Sequence, residues 1–199
     1  MSFMVLSQSE IQQCMDMKQA IAITGVAFKE YYDRQTVLPL RTPVTIEKEQ
    51  ALTLTMPAYL SRQNALGLKV ISIFPNNFIK GKPAINGVML LLNEETGEAK
   101  AIMEASYLTA VRTGAVSGLA TKYLAKEDAR EVAIIGSGVQ AMTQLEAVVC
   151  VRPIEKVTVW SRTFANAQSF AQKIKGQYEV ECHRTLSDAV KNADVICTV

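Results

Sequence analysis

The stretch Glu131-Val132-Ala133-Ile134-Ile135-Gly136-Ser137-Gly138-Val139-Gln140-Ala141 reads as a short apolar strand, a glycine turn and the opening of a helix. Its small residues follow a GxGxxA spacing, and each has a physical task. Gly136 permits the tight turn, Gly138 lets backbone approach a pyrophosphate with no Cβ in between, and Ala141 allows close helix-to-strand packing. Backbone amides at the helix start then face phosphate charge. Gly136, Gly138, Val139 and Gln140 are therefore candidate cofactor contacts. Such a spacing by itself also occurs in ordinary strand-to-helix turns, so its setting decides the reading.

Downstream of the turn the chain alternates: a helical stretch, KVTVWS at 156–161, another helix, YEVEC at 178–182, a short helix, and ADVICTV at 193–199. Strand and helix in alternation imply right-handed crossovers and a parallel sheet, with spatial order 3-2-1-4 if the dinucleotide-binding pattern holds. The final segment has the nearly continuous apolar pattern of a buried strand, yet it would lie at an open edge. The expectation is therefore a partial chain, an α/β protein whose Rossmann-type doubly wound sheet is truncated after its fourth strand.

At the end of the second strand an NAD-specific site usually carries Asp or Glu, which accepts hydrogen bonds from the adenosine ribose. Here Ser161-Arg162-Thr163 occupies that place. A guanidinium and two hydroxyls suit a 2′-phosphate that a carboxylate would repel, so NADP(H) is favoured and NAD(H) remains possible. The alternative is that Arg162 is only solvated and Ser161 caps the next helix.

Upstream, Ser7 and Glu10 stand three apart as a capping box, and Asp16 can cap a second helix with Ile21, Val26 and Phe28 on its apolar stripe. The chain is thus expected to open with helices. Residues 37–103 change to β-like runs (LPLRT, ALTLTM, LGLKVISIF, AINGVMLLL) broken by PNN, GKP and ETGE turns, which suggests an antiparallel or mixed sheet. From Glu104 to Leu124 small and apolar residues return at helical spacing, a shape suited to a helix packed closely between domains. Residues 1–115 are accordingly expected to form an α+β substrate and dimerisation domain, its C-terminal part missing, and residues 116–199 an incomplete dinucleotide domain.

Composition narrows the partners. With 199 residues, 49% hydrophobic and 20% charged, the chain belongs to the globular class, and a formal charge of +2 without a basic stripe is no footprint for nucleic acid or an anionic membrane. No leader pattern stands at the start, and no apolar run approaches the roughly 18 residues of a membrane span. A cytoplasmic setting and a small-molecule partner follow as defaults. Cys14, Cys150, Cys182 and Cys197 are too scattered for zinc or a disulfide framework and read as buried reduced thiols. No metal is expected, and His183, the single histidine, reads as structural or exposed.

Two cations sit in apolar company: Lys69 within GLKVISIF and Arg112 within LTAVRTGAVSGLA. Burying either unpaired would cost several kcal/mol, so each needs a partner. Arg41, in LPLRTP, is a third candidate, although its Pro-flanked strand end can equally be exposed. All three can converge on a substrate carboxylate, with Arg112 also reaching cofactor phosphate. Equally, Lys69 can be an edge-strand lysine that discourages aggregation, and the arginines can serve interdomain ion pairs.

TGEAKAIMEASYLTAVRTGAVSGLATKYLA, at 96–125, resembles the stretch of ornithine cyclodeaminase and mu-crystallin proteins that leads from substrate domain to nucleotide domain, including its LTxxRTxA core. LPLRTP, GLKV and FPNN…GKP occur in the family's order, and the likeness covers essentially the whole chain. The resemblance implies that Arg41, Lys69 and Arg112 hold an amino-acid carboxylate, that Lys69 assists proton transfer, and that Arg112 and Thr113 touch the cofactor. It also implies a homodimer joined through the substrate domains, and hydride exchange between substrate Cα and nicotinamide that gives or consumes an imine. Within the family the choices are amino-acid dehydrogenation, reduction of cyclic ketimines such as pyrroline-2-carboxylate, cyclodeamination of ornithine to proline, or cofactor and ligand binding without catalysis. The family's catalytic aspartate would lie beyond Val199, so a partial chain is expected to be inactive. Between Arg41 and Lys69 the only carboxylates are Glu47 and Glu49, in a polar turn, which argues against a second substrate ammonium and hence against ornithine.

Overall fold

The structure, a computed structural model, describes residues 3–199; Met1 and Ser2, the first residues of the expected substrate domain, lie outside it. Two compact units emerge. One combines the residues up to Asp16 with Val26–Thr109, the other Met17–Gly25 with Ala110–Val199.

β1 (Met4–Leu6) precedes α1 (Gln8–Cys14), whose start is the expected capping box. The Glu10 amide donates to Ser7 Oγ at 3.4 Å and the Ser7 amide to Glu10 Oε2 at 2.8 Å, satisfying two orphan donors reciprocally. Hydrogen bonds from the Ser7 side chain and backbone hold the Glu10 carboxyl below its usual range. α2 (Met17–Tyr32) follows, and its buried positions Met17, Ala20 and Ile21 form an i, i+3, i+4 face. The expected stripe is corrected here: Ile21 is buried, whereas Val26, off that face, and Phe28 are exposed.

β2 (Thr36–Val37), β3 (Thr42–Ile46), β4 (Ala51–Leu60), β5 (Ala65–Ile73), β6 (Ile85–Leu92) and β7 (Ala99–Glu104) complete the first unit. The sheet runs β1-β7-β6-β5-β4-β2, with β3 also pairing β4, and only β1 is parallel to its neighbour. The expected mixed sheet is what forms. Two details differ from the sequence reading. The chain begins with a strand before its first helix, and LPLR at 38–41 is irregular, the strand starting only at Thr42. Pro39 has no N–H to give a ladder, whereas three β1 residues find partners at Ala101, Ile102 and Met103 that local pattern could not reveal.

α3 (Ala105–Leu124) is capped by Glu104, whose carboxylate accepts from the Ser106 amide at 2.5 Å and the Tyr107 amide at 3.0 Å. Burial works to raise this carboxyl, but the hydrogen bonds from Ser106 and Tyr107 outweigh it and hold the pKa low. Beyond Thr109 the helix belongs to the second unit, where Gly114 and Gly118 meet backbone of Thr143 and Ala147. That close approach explains why the helix is rich in small residues. Then come β8 (Glu131–Ile135), α4 (Val139–Val149), β9 (Lys156–Trp160), α5 (Phe164–Ile174), β10 (Glu179–Cys182), α6 (Leu186–Val190) and β11 (Val195–Thr198).

The four strands are all parallel in the order β10-β9-β8-β11, the expected 3-2-1-4. Val132, Ile134, Val157 and Val159 are fully buried against Leu145 and Val148 of α4 and Phe170 and Ile174 of α5. β11 lies at the edge of this sheet, as expected, paired with β8; Cys197 is buried and Ile196 is 52% exposed. No helix among the described residues is long and apolar enough to cross a membrane.

Candidate functional site

The turn between β8 and α4 carries the glycine fingerprint. Gly136 adopts φ +116°, a conformation that strains any residue with a Cβ, and its amide donates to Trp160 O at 2.8 Å, tying the turn to the end of β9. A Cβ there would also collide with Val199 O. Gly138 is the extended N-cap residue of α4, with no side-chain cap, and a Cβ added to it would meet no protein atom within 4 Å. The bare backbone is thus open outward. At a helix start the first amides have no intrahelical acceptor, which holds here for those of Val139 and Gln140. Ala141 is fully buried, as close packing of α4 on the sheet requires. These features fit a pyrophosphate group.

The adjacent β9 turn is joined to this one. Ser137 Oγ donates to Ser161 Oγ at 3.0 Å, and Arg162 and Thr163 are exposed beside it. The idea that Ser161 caps the following helix is corrected: Thr163 is the N-cap residue of α5, and Ser161 is engaged with Ser137. No carboxylate follows β9, where an NAD-type acidic residue would stand.

In the first unit Lys69 is half-buried on β5, opposite Met56 and Met89, and its Nζ donates to Thr109 Oγ1 at 3.5 Å. The partner demanded for a lysine in apolar company includes this hydroxyl. Arg41 is exposed just before β3. Arg112, in the second unit, is not buried as its apolar flanks suggested. The buried face of α3 is Ala110, Val111, Gly114, Ala115 and Gly118, and Arg112 falls outside it with its side chain exposed. Thr113, its neighbour, is half-buried. Glu47 and Glu49 sit in a one-turn 3₁₀ segment, matching the expected polar turn.

The cysteine reading needs a correction too. Cys197 is buried and Cys182 half-buried, whereas Cys14 and Cys150 are exposed. His183 Nε2 lies 3.5 Å from Glu181, which Lys156 also approaches at 3.0 Å. Sequence reasoning missed Ser137 and Thr109 as partners of the predicted residues, although both lie inside quoted motifs. It also missed Arg184, whose guanidinium lies 4.3 Å from the centre of the Phe164 ring. Counting along the parallel register past Cys182, opposite Val159, could have brought it beside the β9 turn.

Comparison with known proteins gives a consistent picture. The model of the ornithine cyclodeaminase/mu-crystallin family matches residues 1–199. A Delta(1)-pyrroline-2-carboxylate reductase of Bacillus cereus is 40% identical over 197 residues, 98% of this chain and 61% of that relative. The Delta(1)-pyrroline-2-carboxylate reductase of Thermococcus litoralis, solved in complex with NADH and L-proline, matches 98% of this chain and 61% of its own, with a TM-score of 0.93 and 39% identity. An archaeal alanine dehydrogenase dimer with bound NAD matches 100% of this chain and 61% of its own, with a TM-score of 0.92 and 31% identity. The chain spans about three-fifths of the length of these relatives. Since the glycine turn, the 3-2-1-4 sheet and the LTxxRTxA helix all lie within a match along the whole chain, the chain belongs to the ornithine cyclodeaminase/mu-crystallin family.

Proposed function

We propose that the whole protein is a nicotinamide-dependent oxidoreductase acting at the C–N bond of a small amino or cyclic imino acid, and that it reduces a ketimine such as pyrroline-2-carboxylate. The carrying observation is the open backbone of Gly138 at the start of α4, joined through Ser137 and Ser161 to a turn that holds Arg162. The likeness to a reductase solved with NADH and L-proline, at 39% identity, supports the substrate class.

In this reading the pyrophosphate lies on Gly136, Gly138, Val139 and Gln140, with Arg112 and Thr113 as further cofactor contacts. Ser161, Arg162 and Thr163 receive a 2′-phosphate, which favours NADP(H) over NAD(H). The bound nicotinamide supplies or accepts the hydride at the substrate Cα. Arg41, Lys69 and Arg112 hold the substrate carboxylate by charge-assisted hydrogen bonds. Lys69 also assists proton transfer at the substrate nitrogen, with Thr109 Oγ1 helping to aim its ammonium. A homodimer through the first unit and a cytoplasmic setting belong to the same proposal.

The test is turnover by the whole protein. With pyrroline-2-carboxylate, NADPH should be consumed and proline should appear in equal amounts. Tight cofactor binding without turnover on any imino or amino acid would overturn the enzymatic reading. Ammonia and proline from ornithine would replace reduction by cyclodeamination.

A further inference from the structure

The structure assigns Arg184 a role that rests on the dinucleotide reading above: we propose that it is a second cation for the 2′-phosphate, held ready by stacking on Phe164. Three observations carry it. The first is position. β9 and β10 run parallel with Cys182 opposite Val159, and the His183 amide donates to Val159 O at 2.9 Å. Arg184 therefore leaves the sheet at the same carboxyl edge as Ser161-Arg162-Thr163, the edge at which open α/β sheets take their ligands.

The second is anchorage. Trp160 Nε1 donates to Arg184 O at 3.4 Å, so the last residue of β9 fixes the backbone of the β10 turn. The guanidinium lies 4.3 Å from the centre of the Phe164 ring, the first residue of α5 and two residues past Arg162. A cation over an aromatic face within about 6 Å is attracted by the ring quadrupole. Stacking leaves the edge of the guanidinium, with its N–H donors, available to a planar or phosphate acceptor.

The third is charge. Among the described residues Arg184 makes no ion pair, and its side chain is exposed. A positive charge that is held in place but not neutralised suits a dianionic phosphate. Its pre-set rotamer reduces the ordering cost of binding. Arg162 alone is a single exposed cation; with Arg184 it would form a two-armed phosphate clamp.

Calorimetric titration of the whole protein with 2′,5′-ADP, 5′-AMP, NADPH and NADH separates the possibilities. In Arg184→Gln, affinity for 2′,5′-ADP and NADPH should fall about tenfold, the loss of one charge-assisted contact, while 5′-AMP and NADH change less than about twofold. Phe164→Leu should give a smaller loss of the same selectivity. Equal weakening of 2′,5′-ADP and 5′-AMP would overturn the proposal, because it would make Arg184 an adenine or folding contact. So would unchanged binding of all four, which leaves the dinucleotide reading intact. If the unaltered protein binds neither dinucleotide, that reading falls and this one with it.

Discussion

Arg162 is exposed at the end of β9 next to a serine already bonded to the glycine turn. Arg162→Asp should weaken NADPH binding by about ten- to hundredfold, the worth of a charge-assisted hydrogen bond plus new repulsion, and change NADH little. Equal losses in a fluorescence titration with both cofactors would refute the phosphate assignment. Lys69→Met removes the ammonium that Thr109 helps to hold; turnover should drop by about a hundredfold or more, while cofactor affinity is kept. A variant that keeps its kcat would remove Lys69 from the chemistry.

Cys197 gives a prediction of a different kind. Burial pushes its thiol from 9.0 up to about 11. The folded state therefore keeps a proton that the unfolded chain has already lost, so its contribution is intact below about pH 9 and disappears as pH rises towards 11. Urea denaturation should show the unaltered protein losing on the order of 2 kcal/mol more than Cys197→Ala over that interval. Parallel pH curves for the two proteins would contradict the burial argument.

At the scale of elements, the packing of α3 on α4 depends on two glycines. A Cβ on Gly114 would lie inside the contact distance of Thr143 backbone, which cannot swing aside as a flexible side chain can. Gly114→Ala should therefore cost about 1–3 kcal/mol of stability despite the better helix propensity of alanine. Gly25, in α2, is the contrasting case. A Cβ there meets only Leu119 Cδ1 at 3.4 Å, so Gly25→Ala should be neutral or stabilise by up to about 1 kcal/mol. Thermal melts of the two variants shifting in the same direction would show that propensity, not helix contact, decides these positions.

This is also the scale at which the sequence was most legible. The βαβ alternation after Asp128 and the 3-2-1-4 order follow from periodicity and crossover handedness, and both appear in the sheet. The Ser7–Glu10 capping box was legible because it is closed within four residues. LPLR could not be placed as reliably, since a short apolar run carries no period of its own and Pro39 breaks the ladder. β1 was invisible for a related reason: three residues form a strand only because β7, almost a hundred residues away in the chain, offers an edge.

For the whole molecule, the first unit leaves Leu40 93% exposed and Val44 55% exposed, beside the exposed Val37 and Leu38. Apolar residues gathered along one edge of a sheet are the kind of surface that self-association covers. The whole protein should sediment as a dimer, and Val44→Glu should shift it towards monomer with little change in helix and strand content. A monomeric unaltered protein would remove the dimer from the proposal.

From sequence came the parallel four-stranded unit and the family, because glycine turns, capping boxes and hydrophobic periods act between near neighbours and here stand in an alternating strand and helix setting. Tertiary structure alone decided that Lys69 meets Thr109, forty positions along the chain, that Ser137 bonds Ser161, and that Arg184 stacks on Phe164. It also decided that both α2 and α3 are shared between two compact units. Those pairings arise from strand register and helix packing between distant segments, and such distances in sequence leave no local pattern to read.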